Sequence, residues 1–167
     1  DLTIKEGLNV FQVKVTAEDK TTTKTYTVKA VKPVKVEDAS IAFDGESLAV
    51  TPKTVVTREL NGTVALSEAV EQKLTEMIGS QQAKKVVFVP EFGKWSIKAA
   101  EVTLTGELLE AIAKKPADLA VTTPYGTTLT IPAAELTALA SNEAVTVRVA
   151  KDNTFALLSG GEALPLS

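Results

Sequence analysis

The sequence contains no cysteine and no histidine. Without cysteine the chain has no disulfide bond, no thiolate nucleophile and no thiolate metal ligand. Without histidine it lacks the side chain that most often serves as a general base near neutral pH and the commonest protein ligand of zinc. These absences exclude Ser–His and Cys–His catalysis, as well as zinc centres built from cysteine and histidine.

Aromatic side chains and long apolar runs are also scarce. Phe, Trp and Tyr make up 5% of the 167 residues, with a single Trp. No apolar stretch approaches the roughly 18 residues of a membrane-spanning helix. The formal charge is −3, from 18 basic and 21 acidic side chains. This charge gives no electrostatic reason to expect binding to nucleic acid or to an anionic membrane.

The residues that dominate the chain are strand formers (Val, Thr) and helix formers (Ala, Leu, Glu, Lys). We therefore expect an α+β fold. Its predicted parts are the last strands of a partial Ig-like β-sandwich over residues 1–33, a linker with short β-hairpins over 34–63, and a duplicated strand–helix–strand module with mixed or antiparallel sheets over 64–167.

Residues 1–33 have the pattern expected of the last strands of a β-sandwich, without the strands that would come first. Residues 7–9 predict a turn between a first strand and a second. After this turn, apolar side chains alternate with polar ones in two segments, and residues 17–20 predict the turn between them. A few short strands are marginally stable alone, and their edges invite pairing. We expect this sheet to be completed by a second chain, by a neighbouring module of the same polypeptide, or by self-association.

The same segment resembles a known family. Residues 7–31 (GLNVFQVKVTAEDKTTTKTYTVKAV) are similar to the C-terminal part of the bacterial cadherin-like β-sandwich repeat, most specifically at 15–19 (VTAED) and 25–28 (TYTV). Lys20 stands where that family often has glycine. The resemblance implies an extracellular, Ig-like, non-catalytic spacer or adhesion module, of the kind found in large surface proteins and carbohydrate-active enzymes.

An internal duplication is predicted over residues 64–101 and 102–136. Each copy has a short strand, a helix-capping residue (Ser67 or Thr105), a helix, a second strand, a turn with proline and glycine, and an Ile-x-Ala-Ala-Glu tag. The predicted elements are helices over 68–78 (ended by Gly79), 106–114 and 133–139, and closing strands over 144–149 and 155–158.

The second copy carries another resemblance. Residues 123–127 (TPYGT) and 131–136 (IPAAEL) are similar to a region common in large Gram-positive surface proteins, between cadherin-like or carbohydrate-binding modules and S-layer homology anchors. The resemblance implies no activity. It does imply an extracellular, cell-envelope location, and we expect the chain to be a processed or excised fragment of an exported protein.

Acidic residues do not form a recognisable catalytic or metal-binding motif. A glycoside hydrolase needs two carboxylates facing each other across a cleft, whereas Glu101 and Glu135 occupy equivalent positions of the two copies, which favours a structural role. Residues 44–46 and 152–153 lack the alternating oxygen ligands of a calcium loop and predict plain turns. We expect no catalytic residue, no metal and no cofactor.

Aromatic placement offers one candidate binding site. Phe92 and Trp95 flank the first proline–glycine turn, and Tyr125 lies in the second. Sugar rings stack on exposed aromatic faces, so these side chains form a shallow glycan platform if exposed, and part of the packing if buried. The predicted function is a non-catalytic structural spacer or adhesion module of an exported modular bacterial surface protein. The alternative is a carbohydrate-binding accessory module of a glycan-degrading surface enzyme.

Overall fold

The structure, a computed structural model, describes residues 3–165 and is mostly β, with three helices in that range. The helices are α1 (Glu68–Gln81), α2 (Gly106–Lys114) and α3 (Ala133–Leu139). The strands are β1 (Gly7–Thr16), β2 (Thr23–Lys32), β3 (Val34–Val36), β4 (Ala39–Phe43), β5 (Ser47–Thr51), β6 (Val55–Val56), β7 (Asn61–Ala65), β8 (Lys85–Phe88), β9 (Ala99–Thr105), β10 (Asp118–Thr122), β11 (Thr128–Ile131), β12 (Ala144–Ala150), β13 (Phe155–Ser159) and β14 (Glu162–Ala163).

Strands β3 to β14 form two six-stranded sheets. The first sheet has the order β11-β10-β8-β5-β4-β3, and the second has the order β14-β13-β12-β9-β7-β6. In the first sheet β5, β8 and β10 run parallel, and in the second β7 and β9 do so, while the other pairs are antiparallel. The mixed sheets and the three helices within residues 3–165 are compatible with the predicted α+β class.

One hydrophobic cluster joins both sheets to the helices. Along β4 and β12 every second residue is buried, as expected for strands with one face on a core. Helix α1 adds Val70, Leu74, Met77 and Ile78 from one side. Residues 34–63, expected to form a linker with short β-hairpins, contribute antiparallel hairpins to both sheets and several of the buried side chains. They belong to the body of the protein.

Local capping signals position the helices. The side chains of Ser67 and Thr105 accept hydrogen bonds from the backbone N–H groups of Val70 (3.4 Å) and Leu108 (3.2 Å). Helices α2 and α3 have the predicted bounds. The predicted end of α1 at Gly79 is wrong, because the helix continues to a left-handed residue at Gln82 (φ 53°). No helix within residues 3–165 has the length and apolar character needed to cross a bilayer.

The two predicted copies follow the same path up to their proline–glycine turns. In each, a strand of the second sheet leads through a capped helix to a strand of the first sheet, as β7–α1–β8 and β9–α2–β10. After the turn the paths differ: the first crosses to the second sheet as β9, and the second folds back beside β10 as β11. Pro132 has no N–H to donate to a strand ladder, and the second tag becomes α3.

Strands β1 and β2 form a separate antiparallel ribbon, paired from Gly7–Lys32 to Thr16–Thr23. Its base contacts β4 near the Gly45 turn, where Leu8 and Lys29 approach. Residues 3–6, part of a segment expected to precede these strands, form no strand, and Asp1 and Leu2 lie outside the described residues. The Ig-like sandwich therefore stays a prediction.

The ribbon turn holds Lys20 in a backbone conformation that favours glycine. Lys20 has φ 59°, in the left-handed region that glycine adopts without strain. Beside it, the Asp19 carboxylate accepts hydrogen bonds from the Thr22 hydroxyl and from the N–H groups of Thr22 (2.8 Å) and Thr21 (2.9 Å). These bonds lower the pKa of Asp19 to about 2 and close the turn.

Candidate functional site

The ribbon exposes an apolar face. Residues directly opposite in an antiparallel pair share a face, and one face of the ribbon carries Phe11, Val13, Val15, Tyr26, Val28 and Ala30. We call these six residues the apolar ribbon face. Val13, Val15, Tyr26 and Val28 are each more than two-fifths exposed. A contiguous apolar surface of this kind marks a site of contact with another molecule or segment.

Trp95 is the most exposed of the three predicted aromatic site residues. It lies in the loop between β8 and β9 and is 65% exposed. Its backbone N–H donates to the carbonyl of Phe92 (3.3 Å), which closes the turn beneath it. The indole ring is therefore free to stack against a planar or sugar ligand.

Phe92 takes no part in an exposed platform. It is 5% exposed and belongs to the hydrophobic core. Its ring occupies the space above Gly62, where an added Cβ would lie 2.5 Å from the ring. Phe92 therefore anchors the loop that presents Trp95.

Tyr125 is half-buried and tied to the second sheet. Its hydroxyl donates to the carbonyl of Val149 on β12. Burial raises the pKa of the phenol. Tyr125 thus fastens the second proline–glycine turn to the body, and of the three predicted residues Trp95 alone offers a largely open ring.

Two shallow grooves follow the carboxyl ends of the parallel strands in the first sheet. One, of about 400 Å³, lies beyond β8 and β10 and is lined by Pro90, Phe92, Thr122, Pro124 and their neighbours. The other, of about 450 Å³, lies beyond β5, and Glu91 lines both. Sequence reasoning missed them, although the carboxyl edge of parallel strands is a recurrent ligand position.

A third groove, which sequence reasoning also missed, lies beside β11. We call it the β11 groove. It encloses about 370 Å³ between β11, α3 and β13, and its apolar lining includes Leu129, Ile131, Leu139, Phe155 and Leu157. Phe155 on its rim is 50% exposed.

Several acidic side chains of the body make structural contacts. Glu101 on β9 pairs with Arg148 on β12, its partner in the strand register (2.8 Å). Asp118 accepts the N–H of Ala133 (3.0 Å) at the start of α3. The N–H groups of Ser47 and Glu46 hold the pKa of Asp44 below its ordinary value. Within residues 3–165, no three acidic side chains are grouped to hold a metal ion.

Comparison with known proteins found no matching family model, no similar curated protein and no similar solved structure. The resemblances of residues 7–31 and 102–136 therefore remain predictions. What the structure adds is the exposed apolar ribbon face, the exposed Trp95 and the grooves.

Proposed function

We propose that the protein is a non-catalytic structural spacer or adhesion module of an exported modular bacterial surface protein, and that its ribbon is the contact element. The observation that carries this proposal is the apolar ribbon face, which stands uncovered beside a body with a single closed core. The cell-envelope location and the place of this chain in an exported surface protein are inferred from the two sequence resemblances.

The energetics of the ribbon support a contact role. A two-stranded ribbon is marginally stable in water, and a third strand or a covering sheet stabilises it. Completing the burial of each half-exposed Val or Tyr on the ribbon face contributes on the order of 1 kcal/mol. Several such side chains lie side by side on this face. Covering the face therefore stabilises the ribbon and, at the same time, contributes to binding the partner.

The construction of the body suits a spacer. The two copies share both sheets, and Glu71 on α1 accepts hydrogen bonds from the hydroxyl (3.0 Å) and N–H (3.5 Å) of Thr105, the cap of α2. Such links hold the copies in one arrangement. A rigid body with one exposed contact element fits a module that spaces or presents its neighbours.

Placing a charge on the ribbon face should weaken contacts made through it. We expect Val13→Lys to weaken concentration-dependent association about tenfold or more, since a lysine would be desolvated at the interface. The matched control is Val10→Lys: Val10 lies on the same strand, faces the opposite side and is 55% exposed against 43% for Val13. Sedimentation velocity gives the association constants.

Hydrogen exchange of the ribbon amides completes this test. We expect residues 7–32 to exchange fast in dilute solution and to become protected as the protein concentration rises, in the parent protein and in Val10→Lys but not in Val13→Lys. A protein that stays monomeric, with ribbon amides that exchange fast at every concentration, would contradict the contact role.

A second function is favoured by Trp95. Its ring is 65% exposed, and its loop adjoins a groove lined by the hydroxyl residues Thr122 and Thr123 and by the carboxylate residue Glu91. An open aromatic ring beside hydroxyl and carboxylate groups suits a sugar chain, which offers both apolar ring faces and hydroxyl groups. We propose carbohydrate binding at Trp95 as the alternative.

Removing the Trp95 ring should abolish any polysaccharide binding without unfolding the protein. We expect Trp95→Ala to lose retardation in affinity electrophoresis through gels that hold cell-wall, plant or microbial polysaccharides. Phe155→Ala is the matched control, because Phe155 is similarly exposed (50%) but lies beside the β11 groove. Equal retardation of Trp95→Ala and the parent protein, or none in any gel, would reject the carbohydrate site.

A further inference from the structure

We propose that the ribbon of one copy adds to strand β11 of a second copy and extends the first sheet of that copy. This inference rests on the proposed contact role of the ribbon and names its partner. Three features of the molecule support it: the open edge of β11, the matching alternation of β2, and the opposite charges of ribbon and body.

Among residues 3–165, strand β11 is an open edge of the first sheet and has β10 as its single neighbour. The N–H of Thr123 donates to the carbonyl of Thr127 (2.8 Å), so every second pair of this ladder is hydrogen-bonded from there on. Leu129 and Ile131 thus turn their backbone groups toward β10. Thr128 and Thr130 turn theirs outward, where an added strand would find them.

Strand β2 of the ribbon has the complementary alternation. The N–H of Ala17 donates to the carbonyl of Thr22 (2.9 Å), and the same counting directs the backbone groups of Thr25 and Thr27 away from β1. Tyr26 and Val28 lie between them on the apolar ribbon face. Threonines hold the free edge positions of β11 and the first three of β2, which are followed by Lys29 and Val31.

Antiparallel pairing of β2 with β11 then places threonines opposite threonines and apolar residues on the same face as apolar residues. Outward-directed residues face each other in such a pair, so Thr25 and Thr27 would meet Thr128 and Thr130 on one side of the extended sheet. Tyr26 and Val28 would lie on the other side, with Leu129 and Ile131. A register shifted by one residue would break this match.

The β11 groove lies on that second side. Its apolar lining of Leu139, Phe155 and Leu157 lies beside Leu129 and Ile131. Its volume of about 370 Å³ has room for side chains from the ribbon face, such as Tyr26 and Val28. The added strand would therefore gain hydrogen bonds along the edge and apolar burial in the groove, which is the usual mode of strand addition.

The ribbon of the same molecule is poorly placed to occupy this edge. Its base contacts β4, which stands four strands away from β11 in the first sheet. At about 4.8 Å per strand the separation is roughly 19 Å. The ribbon on one side of the sheet and the open edge on the other form a head-to-tail joint, which repeats without closing unless a rotation brings the ends together.

The charges of the two parts are complementary. Residues 7–32 carry five lysines and two carboxylates, whereas residues 33–165 carry 17 carboxylates and 12 basic side chains. Two ribbons therefore repel each other, and a ribbon is attracted to the body of another copy. Association should weaken as salt is added.

Proline substitutions at the free edges test the joint. Thr27→Pro and Thr130→Pro each remove an outward N–H that no internal ladder uses, a position where edge strands tolerate proline. We expect each to weaken self-association about tenfold or more in sedimentation velocity. Gln12→Pro is the matched control, because it blocks the opposite ribbon edge on β1 and should associate like the parent protein.

Mixing the two variants distinguishes this joint from every symmetric one. Thr130→Pro keeps an intact ribbon and Thr27→Pro keeps an intact β11, so an equimolar mixture should form a dimer that grows no further.

Phe155→Lys, on the exposed rim of the β11 groove, should weaken association without changing the backbone hydrogen bonds. Thermal unfolding of each variant checks that the body remains folded.

The remaining outcomes overturn the inference. If Thr130→Pro and Phe155→Lys associate like the parent while Val13→Lys does not, the ribbon binds elsewhere, and the proposed contact role stands without this partner. If the parent protein is monomeric up to millimolar concentration, both this inference and that role are rejected.

Discussion

Replacing Gly106 with alanine should destabilise the protein by about 3 kcal/mol or more, an effect typical of overpacking against atoms that cannot move. A Cβ at this position would overlap the carbonyl oxygen of Asn142 and lie 2.8 Å from that of Ala140. Both are backbone atoms of the segment after α3, and the N–H of Gly106 donates to the neighbouring carbonyl of Glu143 (2.9 Å). The close approach of the two chain segments requires glycine.

Gly79→Ala is the matched control for this substitution. Gly79 lies within α1, and an added Cβ there would meet no atom within 4 Å. Alanine should therefore stabilise the helix by about 0.5–1 kcal/mol. Urea unfolding monitored by circular dichroism measures both changes. A Gly106→Ala protein as stable as the parent would show that α2 does not begin against the segment after α3.

Truncating Phe88 should cost about 3–5 kcal/mol, the range found for Phe→Ala in protein cores. Phe88 is fully buried on β8, between the parallel strands β5 and β10 of the first sheet. Removing its ring leaves a cavity that rigid neighbouring strands cannot close. A domain of ordinary stability, about 5–15 kcal/mol, would lose much of its margin.

Phe155→Ala makes the same chemical change at a position that is 50% exposed. Its cost should stay below about 1 kcal/mol, since little apolar contact is lost. The midpoints of urea unfolding separate the two variants. Similar losses in both would contradict the central position of β8 in the core.

The local parts of the fold were predictable because their signals are local. Ser67 and Thr105 precede apolar helical patterns, and both cap helices as predicted. The end of α1 was missed because Gly79 fits within a helix at modest cost, while the actual stop depends on Gln82 adopting a left-handed conformation. A single residue type does not specify that choice.

The sheet assignments were not predictable from neighbouring residues. The strands over residues 34–63 are short, and what makes them part of the body is pairing with distant strands, such as β5 with β8 and β7 with β9. Which residues meet across parallel strands depends on the helices between them. Local alternation of apolar side chains does not specify which distant strand each strand pairs with.

In the candidate site, too, local features were predictable from the sequence and features that depend on distant residues were not. The sequence singled out three aromatic residues, but their exposure depends on remote positions: Gly62 makes room for the ring of Phe92, and Val149 accepts the hydroxyl of Tyr125. Trp95 stays 65% exposed. Which backbone groups of β11 face outward depends on how β11 pairs with β10 in the folded sheet, and the sequence alone does not specify this pairing.

The interleaving of the two copies bears on how the chain folds. Because β7 lies against β9 and β8 against β10, each copy completes its sheets with strands of the other. A proteolytic cut between α1 and β8 would therefore yield no independently folded half. The body should unfold in a single cooperative transition, and residues early in the chain must wait for later ones before either sheet closes.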